Sequence, residues 1–108
     1  MDTKELLINL INIPSLSRDE KNIAEYLAKY LYSFCDKVEI DEMFNVKAEL
    51  IGNSSGPTYL FNGHLDHVAA ADMPDPFSGK VKLSNKLRVQ PFGKEVVVGR
   101  GACDNRGA

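Results

Sequence analysis

The chain has 108 residues, 44% hydrophobic and 26% charged, with a net charge of −2. This is the size of one small domain, with the composition of a folded rather than a disordered protein. It has no basic cluster to hold nucleic acid and no apolar run long enough to span a membrane, so neither partner is expected.

In chain order, residues 2–12 read as a helix: Asp2 and Glu5 have capping-box spacing, and Leu6, Leu7, Leu10 and Ile11 share a face. Pro14 stops it. Ser17-Arg18-Asp19-Glu20 reads as a second capping box. The helix it opens carries Ile23, Tyr26, Leu27, Tyr30, Leu31 and Phe34 in one apolar stripe, which assigns the tyrosines to packing rather than to a cofactor. The period then shortens, and 38–40 and 46–51 alternate as strands. Residues 52–57 form a turn, and Thr58-Tyr59-Leu60-Phe61 reads as a strand buried on both faces. Residues 69–79 read as loop, 80–84 and 86–90 as a hairpin across Ser84-Asn85-Lys86, and 95–98 as another continuous apolar strand.

Both apolar strands end in polar clusters. The first runs into Asn62-Gly63-His64-Leu65-Asp66-His67-Val68, the second into Gly99-Arg100-Gly101-Ala102-Cys103-Asp104. Sites in open α/β sheets lie beyond the carboxyl ends of strands. His64 and Asp66, two apart in extended chain, point to one side. A metal-bound imidazole needs its other N–H held, and a carboxylate does this while raising the basicity of the ligand. A solvated His–Asp pair on a loop is the alternative for so short a motif. Glycines at 99 and 101 permit positive φ and close approach, presenting Asp104; a glycine-rich turn with a surface aspartate is the alternative. His67 reads as a solvent-facing loop residue or a substrate contact. Cys35 and Cys103 have neither metal-ligand spacing nor a disulfide framework. Cys103 reads as a small buried residue, with a reactive thiol as the alternative. With no secretory signal at Met1-Asp2-Thr3-Lys4, a reducing cytoplasm is the expected compartment.

GHLDHV followed by GRGACDNRGA resembles the zinc aminoacylase family of metallopeptidases, which includes acetylornithine deacetylase, succinyl-diaminopimelate desuccinylase, glutamate carboxypeptidase and dipeptidases. That family carries Gly-His-x-Asp-x-Val and then Gly-Arg-Gly-x-x-Asp-x-Lys-Gly. Asp-Pro-Phe often stands between them, matched here by Asp75-Pro76-Phe77. Ile13-Pro14-Ser15 also fits, and the resemblance covers essentially the whole chain. Three departures leave the subfamily open: Arg106 replaces the usual lysine, no tryptophan precedes Asp-Pro-Phe, and 81–95 is long for the turn there.

The resemblance implies an α/β fold in which residues 1–108 form the amino-terminal part of a zinc-peptidase-like catalytic domain. Its mixed sheet, packed by helices, would be incomplete, with the rest of that domain and a dimerisation or lid domain absent. His64 would bind one zinc, Asp66 would act as the catalytic residue orienting it, and Asp104 would bridge two zincs through a cis bond to Asn105. Cobalt or manganese could substitute. The intact enzyme would cleave an amide bond in a peptide or N-acyl amino acid. The remaining ligands and the general base would lie beyond Ala108, so this chain alone is expected to be inactive, and its uncovered sheet to form homo-oligomers. Two other readings compete. A metallo-β-lactamase-like site would need a histidine where Asn62 stands. A non-catalytic binding or assembly module would keep the scaffold without the chemistry.

Overall fold

The computed structural model describes residues 1–84 and 93–108. Helix α1 spans Thr3–Ile11 and α2 Lys21–Leu31; strands are β1 Lys37–Ile40, β2 Val46–Glu49, β3 Lys80–Leu83 and β4 Glu95–Val98. The first capping box forms: Glu5 N–H donates to Asp2 Oδ1 at 2.8 Å, and Asp2 N–H to Glu5 Oε2 at 3.3 Å. Two of the four orphan donors of the first turn are thereby satisfied. Asn12 caps α1 at its end, two residues short of Pro14.

The second capping box does not form. Helix α2 starts at Lys21 with Glu20 as an N-cap whose side chain caps no helix N–H, its Oε1 accepting instead from Arg18 N–H at 2.9 Å. Arg18 takes a φ of +71°, so the chain is still turning at that point. The Ser17 hydroxyl is used elsewhere, on Asp66. On α2, Ile23, Ala24 and Ala28 are buried, whereas Tyr26, Leu27, Tyr30 and Leu31 are half-buried and Phe34 lies past the helix end. The two alanines, outside the expected stripe, let the helix approach its neighbours closely.

Strands β1 and β2 pair antiparallel, with Val38 opposite Ala48, and α2 packs on this ribbon. Strands β3 and β4 pair antiparallel, with Val81 opposite Val97, and α1 packs on β4. The described residues thus hold two separate two-stranded sheets, each with its own helix, in place of the expected single mixed sheet. Strand β3 pairs with 95–98, and the partner 86–90 of the expected hairpin falls outside the described residues.

The expected strand at 58–61 is absent. No ladder includes it among the described residues, and Tyr59, Leu60 and Phe61 are 77%, 89% and 92% exposed. A continuous apolar run is a burial signal, but it becomes a strand only where a neighbouring strand and a covering layer exist. The whole molecule reflects this. Its accessible surface is 8235 Å², against about 6,000 Å² for a compact monomer of 12.0 kDa. Among the described residues the buried apolar core is small: Leu10, Ile11, Ile23, Ala24 and Ala28.

The β1–β2 turn is tied by Asp41, whose Oδ1 accepts from the N–H of Met43 and of Asn45 at 2.9 Å each, and whose Oδ2 accepts from Asn45 Nδ2 at 2.8 Å. The Asn45 side-chain amide, then the backbone donors, hold this carboxyl below the usual carboxylate range. A carboxyl depressed in the folded state adds stability above its unfolded value of about 3.9, lost as pH falls through the lower folded value. We therefore expect the Met43 and Asn45 amide resonances to hold as pH drops to about 3.9 and to move below it. In Asp41→Ala, that acid transition of the turn should vanish.

Candidate functional site

Strand β4 delivers the chain to Gly99, where a Cβ would lie 2.3 Å from Ile11 Cγ2 and 3.1 Å from the Pro76 carbonyl oxygen. Close packing, not positive φ, demands glycine here. Gly101 does need the left-handed region, at φ +79°. A wide turn over Ala102–Arg106 follows, broken at Asp104 (φ −117°, ψ 91°) and closed by Arg106 N–H to the Gly101 carbonyl at 3.0 Å. The Asp104–Asn105 peptide bond is cis, as the resemblance implies.

This turn meets the segment around His64. Asp66 Oδ1 and its backbone carbonyl both lie 3.1 Å from His64 Nδ1, and Asp104 Oδ1 lies 2.8 Å from His64 Nε2. Asn105 Nδ2 donates to the His64 carbonyl at 3.2 Å. The three residues singled out in the sequence, 40 positions apart at the extremes, therefore share one site. A metallo-β-lactamase-like arrangement has no place for Asp104, and its presence here disfavours that reading. His64 and Asp66 also border an open depression of about 780 Å³ walled by Ile23, Leu27, Phe44 and Phe61.

The electrostatics follow from the contacts. His64 sits between two carboxylates, and its pKa is raised, first by the hydrogen bond to Asp104 and then by Asp66. Nδ1–H donates toward Asp66, so a proton or another electrophile contests the Nε2 lone pair. The Asp66 carboxyl is lowered, first by the hydrogen bond from Ser17 and then by His64. Sequence reasoning missed Ser17, assigning its hydroxyl to a helix cap. Its hydroxyl donates to Asp66 Oδ2, leaving Oδ1 for His64. The only available signal was its position just after Ile13-Pro14-Ser15. In Ser17→Ala the Asp66 carboxyl should titrate closer to the ordinary range, as read by carboxyl ¹³C shifts against pH.

Two other expectations are corrected. His67 neither faces solvent nor reaches toward a substrate: it is 4% exposed, with its ring 5.3 Å from that of Phe77. Cys103 is exposed rather than buried.

Zinc takes His nitrogen and carboxylate oxygen, and its histidine ligands are usually held through the second nitrogen by a carboxylate. His64 Nε2, Asp104 Oδ1 and the Asp66–His64 contact fit that chemistry in part. Among the described residues, no group of three or more His, Cys, Asp or Glu is gathered to hold an ion.

Two loops of this small α/β chain thus bring a histidine between two carboxylates. No family model matches the sequence, and no solved structure matches it. Curated proteins do. The chain is 38% identical over 107 residues to a protein of Pyrobaculum aerophilum named as a LysW-lysine/LysW-ornithine hydrolase, covering 99% of this chain and 26% of that protein. It is 30% identical over 105 residues to the succinyl-diaminopimelate desuccinylase of Granulibacter bethesdensis, covering 92% and 24%. It is 28% identical over 109 residues to that of Pelagibacter ubique, covering 92% and 26%. The chain thus spans about a quarter of the length of the curated relatives it matches. It is related to the family of deacylases and desuccinylases named above and corresponds to an amino-terminal part of its members.

Proposed function

We propose that the chain supplies part of the metal site of a zinc-dependent amide hydrolase. His64 Nε2 and Asp104 Oδ1 would hold zinc, and Asp66 would orient His64. Zinc would supply Lewis-acid polarisation of the scissile carbonyl and an activated water. The observation that carries this reading is the His64 ring held by Asp66 on one nitrogen and facing Asp104 at 2.8 Å on the other. The two acceptors fix the ring's orientation, with a proton on each nitrogen, and zinc would take the place of the Nε2 proton that faces Asp104. The relatives' names share lysine, ornithine or diaminopimelate as the amine-bearing part. All three are diamino acids, which supports an N-acylated diamino acid as the substrate class.

A catalytic zinc normally takes three protein ligands and a water. With two donors gathered, this chain should bind zinc weakly and not turn over substrate. The test is to incubate the chain with zinc and N-succinyl-diaminopimelate, N-acetylornithine and a dipeptide, following amine release. Turnover by this chain alone would contradict the two-donor reading. The exposed run of Tyr59, Leu60 and Phe61 supports self-association. A concentration-independent monomer in sedimentation would remove that part of the proposal.

A further inference from the structure

His67 sits at the meeting point of three chain segments. Ser15 N–H donates to His67 Nε2 at 2.8 Å, and His67 N–H donates back to the Ser15 carbonyl at 2.9 Å. His67 Nδ1 lies 2.6 Å from the Val68 carbonyl, and the Ser15 hydroxyl donates to the Leu65 carbonyl at 2.7 Å. The hydroxyl of Ser15 also accepts from Arg106 Nη2, while Arg106 Nη1 donates to the Leu10 carbonyl at 2.6 Å and the Ile11 carbonyl at 3.3 Å. Ser15 is fully buried and His67 nearly so. A Cβ at Gly101 would lie 3.2 Å from His67 Cβ and 3.4 Å from Arg106 Nε, so the turn bearing Asp104 rests directly on this hub.

A backbone N–H can only donate, so His67 Nε2 must carry a lone pair. A carbonyl can only accept, so Nδ1 carries the proton. The hydrogen bonds therefore specify the neutral Nδ1–H tautomer. One ring thus ties the chain after α1 to the segment holding His64 and Asp66. One guanidinium ties the same place to the turn holding Asp104. Arg106 donates through both terminal nitrogens to groups on different residues, which a lysine ammonium on a flexible stem matches poorly.

We propose that His67, with Ser15 and Arg106, is a positioning clamp that sets His64 against Asp104. It touches neither a ligand atom nor a substrate and acts through the backbone of the two loops. Its tautomer and its effect on the loops are independent of zinc. Its effect on metal affinity rests on the reading above.

The test uses the ¹⁵N-labelled chain and three variants. In the wild type, long-range proton–nitrogen spectra should show His67 with a protonated Nδ1 and an unprotonated Nε2. His67→Phe keeps the ring volume but leaves Ser15 N–H without an acceptor. It should keep the β1–β2 resonances, lose the cross-peaks between His64 and Asn105, and weaken zinc binding by about 10–100-fold, the usual cost of an outer support. His67→Gln places an acceptor near the former Nε2 and should restore the cross-peaks and most of the affinity. Arg106→Lys should weaken them in part. An Nε2–H tautomer in the wild type overturns the clamp, whatever the variants do. So do unchanged His64–Asn105 cross-peaks in a folded His67→Phe. If the wild type shows the expected tautomer and cross-peaks but binds no zinc, the metal reading fails and the clamp stands.

Discussion

Ile11→Ala is expected to remove a large part of the chain's stability while leaving a measurable unfolding transition. Ile11 is fully buried, and with Leu10, Ile23, Ala24 and Ala28 it makes up the buried apolar core among the described residues. Truncating a buried isoleucine to alanine costs about 2–5 kcal/mol. Ordinary domains hold about 5–15 kcal/mol in total, and a molecule that leaves Tyr59, Leu60 and Phe61 in water belongs at the low end. Ile11→Val removes one methyl, costs about 0.5–1.5 kcal/mol and should still fold. Gly99 supplies an internal check. A Cβ there would collide with Ile11 Cγ2 at 2.3 Å, so Gly99→Ala alone should cost about 1–3 kcal/mol by overpacking. Ile11→Ala deletes the atom it strikes. The double variant should therefore lose less than the sum of the singles, since contacting residues do not add. Thermal unfolding followed by circular dichroism measures all four chains. Additivity of the two substitutions would show that the packing between α1 and the end of β4 is not as described.

His64→Ala should abolish specific zinc binding while leaving the fold intact. His64 has a half-exposed side chain and no part in the buried core, so its loss opens no cavity. It supplies the single nitrogen donor of the site, and Asp104, at 82% side-chain exposure, cannot by itself distinguish zinc from solvent cations. Loss of an outer support costs about 10–100-fold in metal affinity, and loss of the ligand itself should cost at least that. Asp104→Asn should fall in the same range, because an amide oxygen carries no net charge to the ion. Asp66→Ala should bind more tightly than either, since it leaves both donors in place and frees only the ring's orientation. Calorimetric titration with zinc, beside a circular dichroism spectrum of each variant, gives the ranking. Equal zinc binding by the wild type and His64→Ala would remove the proposed site.

Much of the site was legible because its residues lie in short motifs with local geometry. His64 and Asp66 stand two apart in extended chain and meet for that reason alone. Gly101 adopts the left-handed φ that its position before Asp104 suggested. The first capping box formed because both of its partners are local. Expectations failed where a local pattern competed with a distant partner. Ser17 offers the spacing of a helix cap, but its hydroxyl bonds Asp66, 49 residues on. His67 lies in a polar cluster, but Ser15, 52 residues earlier, draws it inside. Residues 58–61 have the composition of a central strand, yet a strand exists only through its neighbours.

By itself, the amino-acid sequence determined the helices, the family and the three residues of the candidate site, since periodicity and short-range spacing are properties of contiguous chain. Tertiary structure decided the sheet partners, the buried roles of Ser15, His67 and Arg106, and the 2.8 Å approach of Asp104 to His64. Each of these depends on where a residue tens of positions away comes to rest. Burial and hydrogen bonding with such partners outweigh the roughly 1 kcal/mol that a local preference contributes.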